Sequence, residues 1–274
     1  MILRKTWAVV AGLTLAGVIS LAQYRGWRSA PPDLSNLPDW EIDKELPRDL
    51  FTFVRIQYDS NGYRRKWTTD WPDSDANFSF RLQQLTSLKV QPKGVILELT
   101  DPRLFDYPWI YIVEPGDLRF SDSEVGILRR YLLNGGFLMV DDFWGEREWW
   151  NFYREIRRVF PDRDLEEVPL SHPLFHCVFD IKVATKEELQ CPNVWLGTQS
   201  QYNGGITWER EDAQEVHFRA IFDDKRRIMV MVCHNTDNGD GWEREGDNEY
   251  YFREFSEKKA YPLGINIVFY SMTH

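Results

Sequence analysis

The stretch Gly135–Trp150, GGFLMVDDFWGEREWW, constrains the fold more than any other part of the chain. Asn134-Gly135 stops a helix, because glycine takes the left-handed backbone of a helix C-terminus at little cost. The apolar run Phe137–Val140 is too short for a helix and suits a strand buried on both faces. Asp141 and Asp142 close that strand before a new helical period begins. A helix stop followed by a buried strand reads as the end of a βαβ unit, and open parallel sheets take ligands outside the carboxyl ends of their strands. Paired carboxylates at such an end mark where a site lies without naming its chemistry.

The same switching between periods of two and 3.6 runs along the chain. FTFVRIQY is a strand ending at Tyr58 and Asp59, DANFSFRLQQLTSL sets Phe78, Leu82 and Leu85 on one helical face, and GVILELTD is a strand ending at Asp101. WIYIVEPG is a third strand, stopped at Glu114. Ser121-Asp122-Ser123-Glu124 is a capping box whose hydroxyl and carboxylate satisfy free helix N–H groups, with Val125, Leu128, Leu132 and Leu133 following at core-facing spacing. After Asp142, the residues Trp149, Phe152, Ile156 and Val159 give the next helix its buried face. LEEVPL is a short strand leading to His172, RRIMVMVCHN a buried strand ending at His234 and Asn235, and Pro262 opens a last helix. Alternating aromatic and polar residues with glycines, from about Asn193 to Asp224, predict antiparallel strands or loops at the sheet edge. The fold class is α/β: a mostly parallel sheet with helices on both faces and a short antiparallel extension.

Arg4 and Lys5, the apolar run Trp7–Ala22 and the small residues Ser20 and Ala22 follow the order of a secretory signal peptide. Residues 1–22 are therefore read as a cleaved signal peptide or, with Ile2 and Leu3 added, as a membrane anchor. The Pro- and charge-rich stretch 23–48 reads as a tether, and 49–274 as a single α/β domain. The expected location is exported, in a periplasm or on the outer face of the cytoplasmic membrane. Of three cysteines, Cys177 and Cys191 could pair, and Cys233 reads as a small buried hydrophobe. A formal charge of -10 leaves no basic surface for a nucleic-acid backbone, so nucleic acid is excluded as a partner.

The predicted strand ends gather Tyr58, Asp101, Glu114, Asp141, Asp142, Trp144, His172, His234, Asn235 and Asp237 as ligand-binding candidates, with Asp240 and Glu243 close behind. Carboxylates beside imidazoles can hold a divalent metal or divide acid and base roles, and Asp142, His172 and His234 are the candidate metal set. Blander readings stand beside these. One of Asp141 and Asp142 would cap the next helix, one of His172 and His176 would merely be satisfied by backbone in a loop turn broken by Pro173, and HNTDNGDGWE, which lacks EF-hand spacing, would be a solvated loop. Trp144 and Trp242 lie in glycine-containing acidic loops, apart from the tryptophans that fill the core. RRKWTTDWPDSD, from Arg64, is either a lid or a long connection.

The segments FTFVRIQYDS, NFSFRLQQLTSLKV, LLNGGFLMVDDFWGEREW, HPLFHCVFD, HNTDNGDGWE and LGINIVFY together resemble a bacterial domain-of-unknown-function family, number 4159, over Leu50 to His274. The resemblance implies a flavodoxin-like sheet of the class I glutamine amidotransferase-like type, similar to trehalose-utilisation-type proteins. It implies no activity. A working amidotransferase needs a nucleophilic Cys on a strand-to-helix turn, and neither Asp141-Asp142-Phe143-Trp144-Gly145 nor Glu114-Pro115-Gly116 carries one, so glutaminase chemistry is not expected.

Two classes of function follow. The first is a non-catalytic envelope module binding a small polar ligand, a saccharide or an envelope protein at the carboxyl edge of the sheet. The second is a metal-assisted or acid/base hydrolase using Asp141 or Asp142 with His234. No cofactor is required by the first, a divalent metal suits either, and a membrane is a partner only if the N-terminal segment stays uncleaved.

Overall fold

The computed structural model describes residues 37–42, 50–60 and 65–274. The expected signal or anchor segment 1–22, and the tether apart from 37–42, lie outside the described residues. In chain order the strands are β1 (Val54–Gln57), β2 (Asp59–Ser60), β3 (Val95–Glu98), β4 (Trp109–Val113), β5 (Leu118–Arg119), β6 (Phe137–Asp141), β7 (Glu166–Glu167), β8 (His217–Phe222) and β9 (Ile228–His234). The α-helices of six residues or more are α1 (Asp73–Leu85), α2 (Asp122–Leu133), α3 (Gly145–Val159), α4 (Val194–Gln199), α5 (Asn238–Glu243) and α6 (Tyr261–Thr273), with a nine-residue π-helix, Phe252–Ala260, leading into α6.

Seven strands form one sheet in the order β3-β1-β4-β6-β9-β8-β7. The first five run parallel, and β8 joins β9 and β7 antiparallel. Ranked by sequence, the parallel strands read 2-1-3-4-5, the flavodoxin-like order, which reverses direction between β1 and β4. The two-residue strands β2 and β5 pair separately at the mouth of that reversal.

Burial on both faces explains why the central strands are continuously apolar. One face carries Phe53, Trp109, Tyr111, Met139 and Cys233 under Phe78 and Leu82 of α1, Trp242 of α5 and Ile265 and Val268 of α6. The other carries Val54, Ile112, Val140 and Val232 under Leu128 and Leu132 of α2 and Phe152, Ile156 and Val159 of α3. The Ser121–Glu124 capping box closes the N-terminus of α2 as its spacing predicts.

Several expectations are corrected. Leu85 and Leu133 are 49% and 46% exposed, because each sits in the last turn of its helix, past the sheet it packs on. The segment after Asn193 begins with helix α4, capped by Asn193 Oδ1 on Leu196 N at 3.0 Å, and only β8 is a strand there. HNTDNGDGWE is no solvated loop: it contains α5, with Asn238–Trp242 buried. All three cysteines are free thiols, Cys177 facing Asn266 O and Cys191 facing Phe255 O. Trp40, inside the stretch read as a tether, packs on Phe80 and donates Nε1 to Val90 O at 3.0 Å. Among the described residues, no helix is long and apolar enough to cross a membrane.

A carboxylate centre at the strand ends

Alternation along β6 puts Asp141 on the same face as Met139, and Asp142 follows one residue later in left-handed backbone, at φ 56°. The two carboxylates meet different fates. Asp141 is fully buried and accepts four hydrogen bonds: from Tyr111 Oη at 3.2 Å, Asn238 N at 2.9 Å, Gly239 N at 3.1 Å and Asn238 Nδ2 at 2.7 Å. The expectation that Asp141 or Asp142 caps the next helix, α3, is not met: α3 has no side-chain cap from its N-cap residue, and Asp141 instead accepts the first N–H groups of α5 beside that helix's own N-cap. Burial raises the pKa of Asp141 to about 7 against the pull of those donors.

Asp142 is 7% exposed and takes one donor, Trp144 Nε1 at 3.1 Å on Oδ1. Its carboxylate forms a group with those of Asp70 and Asp237, in which the candidate ligand oxygens all lie within 4.8 Å of one another. Asp237 supplies the N-cap of α5 through Oδ1, which accepts from Asp240 N at 2.7 Å. Asp70 comes from the connection between β2 and α1, also at positive φ (62°), and its Oδ2 is sealed from solvent with no hydrogen-bond partner. A second group, Asp70, Asp240 and Glu243, meets the same spacing and shares Asp70.

No lysine or arginine forms an ion pair with Asp70, Asp142 or Asp237 among the described residues. Burial, then the neighbouring carboxylates, pushes all three pKa values well up: Asp240 and Glu243 act on Asp70, Glu114 and Asp70 on Asp142, and Asp142 and Asp240 on Asp237. Glu243 is raised to about 7, by burial first. Like charges so close are unfavourable unless protons or a cation are shared between them.

Backbone strain is concentrated in the same place. Of five described non-glycine residues at positive φ, Asp70, Glu114, Asp142 and Asn235 lie at or facing the carboxyl ends of the strands. Asp and Asn accept this backbone more readily than most residues, but each costs on the order of 1 kcal/mol, and such strain clusters at functional sites. Gly239 is fixed by approach instead: a Cβ there would collide with Asp70 Oδ2.

Arg55 holds the connection that presents Asp70. Its guanidinium, with no solvent exposure, spans Asp75 at 2.5–3.1 Å, Ser74 Oγ at 2.9 Å, and the carbonyls of Trp67 at 3.1 Å and Thr69 at 2.9 Å. At the rim, Lys66 Nζ meets Glu114 Oε2 at 2.9 Å and Asp117 Oδ2 at 3.4 Å.

The remaining candidates divide by position. Glu114 lies at the rim, engaged by Lys66 and by Thr69 Oγ1 at 3.0 Å. Tyr58 is near, but its hydroxyl donates to the carbonyls of Val113 and Glu114 and ties β1 to β4. Trp144 orients Asp142. Asn235 clamps two turns, accepting from Gly145 N at 2.8 Å and donating Nδ2 to Glu215 O at 2.8 Å. Asp101 caps its own short 3-10 turn and pairs with Arg103.

The set Asp142, His172 and His234 is not brought together. Alternation along β9 turns His234 to the other face of the sheet, against Phe143 and Trp149, where burial lowers its pKa to about 3. His172 packs on Phe222 and Tyr270, and Phe222 pairs with Ile228 at the start of β9, so this imidazole sits at the opposite edge. Trp242 is core, its ring 4.5 Å from that of Phe78. Asp70 is the residue the strand-end pattern misses, because it rides on a long connection rather than on a strand. Its only sequence signal is the lid-like RRKWTTDWPDSD.

A family model described as Domain of unknown function (DUF4159) matches residues 52–272. The chain belongs to this family. Asp70, Asp142, Asp237, Asp240 and Glu243 all fall inside the matched span, so the carboxylate centre is part of the DUF4159 domain itself. No curated protein matches the chain.

Proposed function

We propose that this DUF4159 chain is an exported or membrane-tethered module that binds a small polar ligand at the carboxyl edge of its sheet through a divalent cation held by Asp70, Asp142 and Asp237. The observation that carries this reading is the convergence of three carboxylates, from three separate connections, without a basic partner. Building such a cluster from strained backbone costs stability and returns nothing in the apo protein, which is the pattern of a site shaped for an ion. An all-oxygen set favours a hard cation, Ca2+, Mg2+ or Mn2+, and its open coordination positions are where hydroxyl or carboxylate oxygens of a ligand would bind. Placement outside the cytoplasmic membrane rests on Arg4, Lys5 and the apolar run Trp7–Ala22.

The hydrolase reading built on Asp141, Asp142 and His234 loses support. Asp141 is consumed in capping α5, and His234 faces the other side of the sheet. Glutaminase chemistry is equally unsupported, since Cys191 and Cys233 are buried thiols whose pKa values burial pushes up, the reverse of an activated nucleophile.

Calorimetric titration of the metal-stripped full chain with Mn2+, Ca2+ and Mg2+ tests the reading. Saturable binding is expected, weakened by about 10–100-fold or more in Asp142→Asn, since loss of even an outer-shell partner has that effect. His234→Phe should leave affinity unchanged. No heat from any of the three ions, or equal binding by Asp142→Asn, would remove the proposal.

A further inference from the structure

Asp70 belongs to both carboxylate groups, and this sharing has a chemical meaning. Resting on the cation centre proposed above, we propose that the centre takes two divalent cations bridged by Asp70: one between Asp70, Asp142 and Asp237, the other between Asp70, Asp240 and Glu243. Oxygens that ligate one hard cation at roughly 2.0–2.6 Å stand at most about 5 Å apart, and each group meets that limit separately. A carboxylate common to two such groups is the usual link in two-metal sites, where ions lie about 3.5–4 Å apart.

Charge supports two ions over one. Arg244 is the one basic residue paired with Asp240 or Glu243 among the described residues, and Arg55 is committed to Asp75. Five carboxylates against one guanidinium leave four negative charges, which two divalent ions match and a single ion does not. Arg244 also fits its role poorly. Its Nε lies 2.6 Å from Glu243 Oε2, yet neither atom makes a hydrogen bond, and its side chain is 42% exposed. The independent sign of a ligand is Asp70 itself, whose Oδ2 is enclosed with no donor and whose carboxylate belongs to both groups.

The second group is also anchored well enough to be a site. Asp240 is 7% exposed, and its Oδ2 accepts Val194 N at 2.7 Å, which fixes the carboxylate between α4 and α5. Glu243 lies one turn further along α5, on the same helical face.

The test is the stoichiometry and coupling of Mn2+ in the metal-stripped full chain, by native mass spectrometry and electron paramagnetic resonance. Two Mn2+ per chain with an exchange-coupled signal are expected. Glu243→Gln should retain one ion and show the six-line spectrum of isolated Mn2+, and Asp240→Asn serves the same purpose if Glu243→Gln fails to fold. One ion in the wild type, unchanged by either variant, overturns the second ion and leaves the first standing. No bound Mn2+ overturns the centre as a whole.

Discussion

Asp237 caps α5 with one oxygen while its carboxylate faces Asp70 and Asp142, so a single side chain both starts a helix and belongs to the proposed cation site. The two roles can be separated by substitution. Asn keeps an acceptor for the cap and removes the charge, and Asn is as good an N-cap as Asp. Asp237→Asn should therefore raise the melting temperature of the metal-free protein by a few degrees, the change that about 1 kcal/mol produces in a domain of this size. The same variant should bind Mn2+ more weakly than wild type. A variant that loses both stability and binding would make Asp237 a structural cap alone. At this scale the sequence told a mixed story. Asp141, Asp142, Asp237, Asp240 and Glu243 were legible because they follow predicted strands, whereas the roles of His172 and His234 were not, because spacing does not say which face or edge an imidazole ends on.

Helices and strands were the most legible level. The capping box of α2 and the buried stripe of α3 are local patterns whose outcome depends on neighbours three or four residues away. The connection carrying Asp70 was opaque for the opposite reason. Its shape is set by Arg55, which reaches from β1 to carbonyls of residues 67 and 69, contacts that no local period announces. Arg55→Met would leave Asp75 buried without its cation, a change that typically costs about 3–5 kcal/mol. Hydrogen exchange in Arg55→Met should show the 65–72 segment opening ahead of the sheet, together with lost Mn2+ binding. Unchanged protection of that segment would mean that something other than Arg55 holds it.

Across the whole molecule, the raised carboxylate pKa values make stability depend on pH in a defined direction. Asp141 and Glu243, both raised to about 7, hold protons in the folded state that the unfolded chain has already released, so stability falls as pH rises from about 4.5 to 7. Asp70, Asp142 and Asp237 are shifted the same way. His234, lowered to about 3, and His172, also lowered by burial, act oppositely below their usual value near neutrality, but two imidazoles oppose the five carboxylates named above. The metal-free protein should melt higher at pH 5 than at pH 8, and Mn2+ should stabilise it more at pH 8, where the ligands are ionised. A melting temperature that rises steadily from pH 5 to 8 without metal would show that the cluster carries no unrelieved charge. The mostly parallel sheet was legible at this scale, and its flavodoxin-like order came with the family resemblance. The meeting point of three connections was not, since it depends on how loops from β2, β6 and β9 close over one another.

The most direct measurement is anomalous scattering from crystals of the protein grown with Mn2+. The account predicts a peak within coordination distance, about 2.0–2.6 Å, of carboxylate oxygens of Asp70, Asp142 and Asp237. Mn2+ bound elsewhere, or no peak there at saturating metal, would contradict it.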